Sequence, residues 1–262
     1  MNWFYQCSPI LQAFVATLFT YGVTVLGASV VFVFRSVNQK IMDVMMGVSA
    51  GVMIAASYWS LLEPALALAE QMEKNKALIT GTGFLLGGLF ITVSDVLLGK
   101  KSMADCRGAG WKRCVLLTTA VTLHNIPEGL AVGVAFGNAG IYGGRDYLVA
   151  AMVLALGIGI QNFPEGTCVA MPLRREGVSR GKSFLIGQFS GMVEPVAGVI
   201  GAVFALGVEE ALPFALSFSA GAMISVVCSE LIPESFQDNK HLASLGVLAG
   251  FIVMMVLDVT LG

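Results

Sequence analysis

His124-Asn125-Ile126-Pro127-Glu128-Gly129 and Gln161-Asn162-Phe163-Pro164-Glu165-Gly166 are near copies of each other, and their reading decides the fold. Each stretch lies inside a long apolar segment, where an unpaired carboxylate is costly. Residues four apart share one face of a helix, so the pattern stacks His124 over Glu128 and Gln161 over Glu165. Each proline lacks an N–H, which frees the carbonyl four residues back, at Leu123 and Ile160, and predicts a kinked helix. The glycine after each glutamate lets a neighbouring helix come close. Two kinked apolar helices that offer imidazole, amide and carboxylate groups read as a cation site within a membrane.

The composition agrees. Of 262 residues, 56% are hydrophobic and 12% charged, and the mean hydropathy is +0.81. A soluble domain carries about 25% charged residues, so the deficit marks an integral protein of the lipid bilayer. No basic run is interleaved with aromatics, which argues against a nucleic-acid partner. The five cysteines form no C-x-x-C pair, which argues against a disulfide framework or a zinc knuckle. The first apolar segment has no basic stretch before it and no clear cleavage site, so it is read as retained.

Apolar runs long enough to span a bilayer fall at about 9–34, 41–63, 77–98, 113–137, 148–172, 183–207, 211–232 and 242–261. The expectation is an all-α integral membrane protein with eight transmembrane helices, a single polytopic domain over residues 1–262. Continuous apolarity, rather than two-residue alternation, sets aside a β-barrel. Of the 15 lysines and arginines, 12 fall in, or at the edge of, the loops after the first, third, fifth and seventh runs. The positive-inside rule assigns those loops to the cytosol and both termini to the outside, most simply of a cell (inner) membrane.

Ser49-Ala50-Gly51-Val52-Met53-Ile54 matches Ser219-Ala220-Gly221-Ala222-Met223-Ile224 at five of six positions. Gly83 to Gly99 aligns with Gly246 to Gly262 at eight of 17 positions, Asp95 with Asp258 among them. The copies are five helices apart, an odd number, and so cross the membrane in opposite senses. A first repeat over about 9–98 and a second over about 183–261 thus flank the motif helices of 113–172. This 3+2+3 inverted repeat is the layout of a secondary transporter.

His124 and Glu128 suit a borderline divalent ion such as zinc or iron(II). Taken alone, they could equally be a buried hydrogen bond between helices, but the second motif with Glu165 favours ligation. Asn125 and Asn162 lie about 100° round their helices from those faces. They read either as donors to an adjoining site or as interhelical hydrogen-bonding residues. Glu194, in Gly191-Met192-Val193-Glu194-Pro195, is a further carboxylate at membrane depth, where isolation costs at least about 2.5 kcal/mol. Glu63, Glu230 and Glu234 lie near helix ends and read as interfacial or as relay positions for a cation. Asp95 and Asp258 read as capping or interhelix hydrogen-bonding groups, Cys168 as packing and His241 as solvated. Gly83-x-x-x-Gly87 and Gly246-x-x-x-Gly250 allow close helix packing, within one chain or in a homodimer.

The two six-residue stretches resemble the fourth- and fifth-helix signatures of the ZIP (Zrt/Irt-like) metal transporters, closest in wording to the GufA-like branch. The resemblance extends over the whole chain, through the eight spans, the repeat and Glu194. It implies a binuclear mid-membrane site that moves zinc and related divalent ions into the cytosol as transported substrate, with no cofactor. Carried over by position, His124, Glu128, Gln161 and Glu165 would hold the primary ion, with Met53 of the second helix nearby. Asn125, Asn162 and Glu194 would form the adjoining position, with Glu128 and Glu165 bridging the two. The family also implies that helices 1, 4, 5 and 6 move against a scaffold of helices 2, 3, 7 and 8. Many relatives carry Asp where Asn162 stands, and many have a histidine-rich loop after the third helix, which this chain lacks.

The expected function is divalent-metal transport, not an enzymatic reaction. A membrane protease is disfavoured because His124 is followed by Asn125, which breaks the zinc-protease motif. A metal sensor without flux and a carrier of another substrate, with Glu128 and Glu165 moving protons, are the remaining rivals.

Overall fold

The computed structural model describes residues 2–34, 38–73, 75–102 and 109–261, with backbone only at residues 2, 95, 98–102, 109–117, 119, 120, 123, 124, 175 and 209. After a single turn at Asn2–Tyr5, the long helices are α1 (Pro9–Val33), α2 (Gln39–Gln71), α3 (Lys76–Ser102) and α4 (Ala109–Tyr142). They are followed by α5 (Arg145–Arg175), α6 (Arg180–Gly207), α7 (Leu212–Ser235) and α8 (Lys240–Leu261). Among the described residues, seven stretches are long and apolar enough to cross a membrane, one in each of these helices except α4. No strand occurs among the described residues. The protein is an all-helical, multi-pass membrane protein.

The packing has the character expected in lipid, where small and polar residues face inward and large apolar ones outward. On α1, Ala13, Thr17, Thr20, Thr24 and Ala28 are buried, whereas Leu18, Phe19 and Leu26 are exposed. The outer faces of α3 and α8 present Leu85, Leu89 and Val93, and Leu248, Ile252 and Val256.

Helical structure runs unbroken through Pro127 in α4 and Pro164 in α5. Each proline removes one bond from a helix of 34 or 31 residues, and neighbouring helices hold the rest. A break in helical structure lies in α6, which divides at Met192 into Arg180–Gly191 and Val193–Gly207. Pro195 frees the carbonyl of Gly191, and glycine is a weak helix former, so the two act together at one point. Two helices also widen locally into π turns, Ser57–Leu62 in α2 and Val227–Leu231 in α7. Pro64 and Pro233 follow these turns, and a ring that crowds the preceding carbonyls favours a wider turn there.

The closest pairings are α1 with α5, α2 with α8, α3 with α7, and α4 with α6. Exchanging α1 with α6, α2 with α7, α3 with α8 and α4 with α5 maps this set onto itself. The correspondence holds to the residue. Gly87 of α3 packs against the Phe218 carbonyl, and Gly250 of α8 against that of Val48, 170 positions earlier in the matched helix. Gly129 of α4 abuts the Glu194 carbonyl and Gly166 of α5 that of Thr24, again 170 positions apart. Gly83, Gly87, Gly246 and Gly250 are therefore occupied in contacts within the chain.

At Gly87 an added Cβ would collide with the Phe218 carbonyl oxygen, whereas at Gly81 it would meet open space. Gly87→Ala is expected to destabilise the protein by about 1–3 kcal/mol. Gly81→Ala should be neutral or slightly stabilising. Thermal melts of both variants in one detergent test the difference; equal melting temperatures would contradict this packing.

Candidate metal centre

Glu128 and Glu165 meet through Gln161. The Gln161 amide Nε2 donates to Oε1 of Glu128, to Oε1 of Glu165 at 3.2 Å and to Oδ1 of Asn162 at 3.5 Å. Asn125, Glu128, Gln161, Asn162 and Glu194 are wholly buried, and Glu165 is nearly so. One amide nitrogen thus lies between two carboxylates contributed by neighbouring helices.

The remaining lone pairs are unmatched. Glu128 Oε2, Glu165 Oε2, Gln161 Oε1 and Asn125 Oδ1 are buried and have no hydrogen-bond partner. Leaving such atoms bare costs about 1–3 kcal/mol each, more where the group is charged. A cation that accepted these lone pairs would remove the deficit. Met53 is fully buried on α2, and Ser49, one turn before it, donates to the Gln161 carbonyl at 3.2 Å, so this face of α2 meets α5 at the motif. His124 lies in α4 one turn before Glu128, and its side chain is outside the described residues. Among the described residues, no three His, Cys, Asp or Glu side chains form a metal cluster. The donor set is mixed carboxylate and amide.

Glu194 stands beside this centre at the start of the second half of α6. Its carboxylate accepts from the Thr20 hydroxyl, from the Thr24 hydroxyl at 3.5 Å, and from Asn162 Nδ2 at 2.9 and 3.0 Å. Asn162 Nδ2 also reaches the Thr20 carbonyl at 3.2 Å, while Asn125 Nδ2 donates to the Ser190 carbonyl at 2.8 Å. Thr20 and Ser190 are matched positions, 170 apart. The structure thus draws together Glu128, Gln161, Asn162, Glu165 and Glu194, with Asn125 on the same helix as Glu128.

Four further residues, Thr20, Thr24, Ser49 and Ser190, belong to this polar network and were not singled out by the sequence. Their signal was Thr17, Thr20 and Thr24 at a spacing of three and four residues, one face of an otherwise apolar helix. Elsewhere, Ser60 donates to Asp258 at 2.7 Å, the interhelix bond expected of that aspartate. Asp258, Glu63, Asn138 and Asp146 line a separate cavity of about 500 Å³. The side chain of Asp95 is outside the described residues, Cys168 is buried and His241 is exposed.

Comparison with known proteins places this geometry in a family. A family-wide sequence profile described as ZIP zinc transporter matches residues 108–258, which hold both motifs and Glu194. The zinc transporter ZIP11 of Xenopus tropicalis is 38% identical over 97% of this chain and 98% of its own length. The zinc transporter GufA of Myxococcus xanthus is 37% identical over 95% and 98% of the two chains. For the zinc transporter ZIPB of Bordetella bronchiseptica the identity is 34%, over 92% and 79%. With paired motifs at the centre of an all-helical membrane bundle, and relatives aligned along nearly its whole length, this chain belongs to the ZIP family of metal transporters.

Proposed function

We propose that this protein carries divalent metal ions, zinc first and iron, manganese or cadmium as further substrates, into the cytosol by alternating access. The observation that carries the reading is the group of unpartnered oxygens on Glu128, Gln161 and Glu165, buried between the two motif helices. A dehydrated divalent ion needs several such donors where water is absent. On arrival it takes the oxygens that already lack partners, Glu128 Oε2, Glu165 Oε2 and Gln161 Oε1, with no turn of the amide required. His124 supplies an imidazole nitrogen and Met53 a thioether to the same ion. Asn125, Asn162 and Glu194 form the adjoining polar set.

The architecture proposed for this activity is one polytopic domain of eight spans in a 3+2+3 inverted repeat. The 170-residue correspondence between contacts of α1 and α6, and of α2 and α7, supports it. The closest pairings also divide the helices into α1, α4, α5 and α6 on one side and α2, α3, α7 and α8 on the other. The first set holds the carboxylates, and its movement against the second would expose the ion to each side in turn. Both termini face outward on the charge distribution, in the cell (inner) membrane. A homodimer would use the exposed outer faces, because the Gly-x-x-x-Gly pairs are engaged within the chain.

Radioactive zinc uptake into proteoliposomes tests the reading. Saturable flux is expected in the wild type, and a fall to background in Glu128→Ala and in Glu165→Ala. Zinc bound without flux in the wild type would make the protein a sensor instead. Binding requires deprotonated ligands, so protons compete with the metal and uptake should fall as the external pH is lowered. A rate that rises on acidification would contradict simple competition.

A further inference from the structure

We infer that Asn162, Glu194, Thr20 and Thr24 form a hydrogen-bond clasp in place of a second ion position, so that the centre takes a single divalent ion; this rests on the transport site proposed above. The two halves of the polar network differ in one respect. Glu128, Gln161 and Glu165 each keep a buried oxygen with no partner. Both oxygens of Glu194 are satisfied. Oε2 accepts from the Thr20 hydroxyl and from Asn162 Nδ2 at 3.0 Å, and Oε1 accepts from Asn162 Nδ2 at 2.9 Å and the Thr24 hydroxyl at 3.5 Å.

The orientation of the Asn162 amide is fixed by its surroundings. Three acceptors surround its nitrogen, the two Glu194 oxygens and the Thr20 carbonyl at 3.2 Å, while its oxygen faces the donor Gln161 Nε2 at 3.5 Å. Turning the amide to offer its oxygen to an ion beside Glu194 would set that oxygen against three acceptors. Asn125 is held likewise by its nitrogen, on the Ser190 carbonyl at 2.8 Å, which leaves the adjoining set one unpartnered acceptor, Asn125 Oδ1. With the free oxygens of Glu128 and Glu165 taken by the first ion, one amide oxygen does not make a site for a second.

Charge leads to the same count. Glu128 and Glu165 together balance one divalent ion. With Glu194 also ionised, one ion leaves a single negative charge, held on Glu194 by the Thr20, Thr24 and Asn162 donors, whereas two ions would leave a single positive charge with no such compensation. An aspartate at position 162 would supply the fourth negative charge and replace an amide donor by an acceptor. The clasp serves a different purpose. It holds the Glu194 carboxylate without metal and ties α1 to α5 and α6, so the three helices can move as one.

The test is the number of zinc ions bound per purified chain at saturation, measured by isothermal titration and by elemental analysis. The Glu128→Ala/Glu165→Ala double variant serves as the blank for surface binding. One ion above the blank is expected in the wild type and two in Asn162→Asp. Two ions in the wild type would overturn the clasp and leave the transport site standing. No ion above the blank would overturn both. An Asn162→Asp protein that folds and still binds one ion would also count against the clasp, and if that variant does not fold, the wild-type count decides alone.

Discussion

Within a bilayer a polar atom finds a partner inside the protein or carries the full cost of lacking one, and this requirement shapes the whole bundle. Hydroxyls are mostly bonded back to their own helices: Thr17 to the Ala13 carbonyl, Ser57 to that of Met53, Ser217 to that of Pro213. Hydroxyls and amides that reach across helices cluster at the motifs. Unpartnered side-chain atoms also occur on Asp43, Asn138, Arg174, Ser183 and Asp258, away from the motif centre. Among the described side chains of the paired motifs, they occur on Asn125, Glu128, Gln161 and Glu165.

The frame that holds this group is nearly symmetric, and its chemistry is not. Gly129 and Gly166 seat α4 and α5 on matched backbone positions of α6 and α1. Asn125 and Asn162 then cap matched carbonyls, those of Ser190 and Thr20. The next matched pair breaks the pattern, because Glu194 on α6 stands where α1 has Thr24. One flanking helix brings a carboxylate and the other brings the hydroxyl that satisfies it. Asymmetric residues on a symmetric scaffold thus give one centre with unmet acceptors and one that is complete.

The sequence alone disclosed the motif helices, the membrane character and the two longer repeat matches, because carboxylates in apolar runs and glycine spacings are written directly in residue order. The interruption of α6 is harder to read from residue order. Pro127 and Pro164 look like the disruptive residues, yet a long helix tolerates one lost bond, whereas Gly191 and Pro195 lie close enough to weaken the same turn. The extension of α2 to Gln71 was hidden by Pro64, which the π turn accommodates. Thr20 and Thr24 were overlooked because a threonine in an apolar helix usually bonds to its own backbone. Their bonds to Glu194 depend on α1 lying against α6, a tertiary fact with no local trace.

On the one-ion reading, charge also bears on movement. The empty centre holds two carboxylates, and Gln161, a neutral amide, is the described group lying between them. With one ion bound, the Glu128 and Glu165 pair would be electrically balanced. A group of helices that shifts against its neighbours exposes this centre to changing surroundings, and a balanced centre has less to lose from a fall in local dielectric than a dianionic one. On the proposed movement Glu194 would travel with the group in either state, because its donors come from α1 and α5. On this reading the clasp separates two tasks: one pair of carboxylates would be reserved for the ion, and the third is kept satisfied without one.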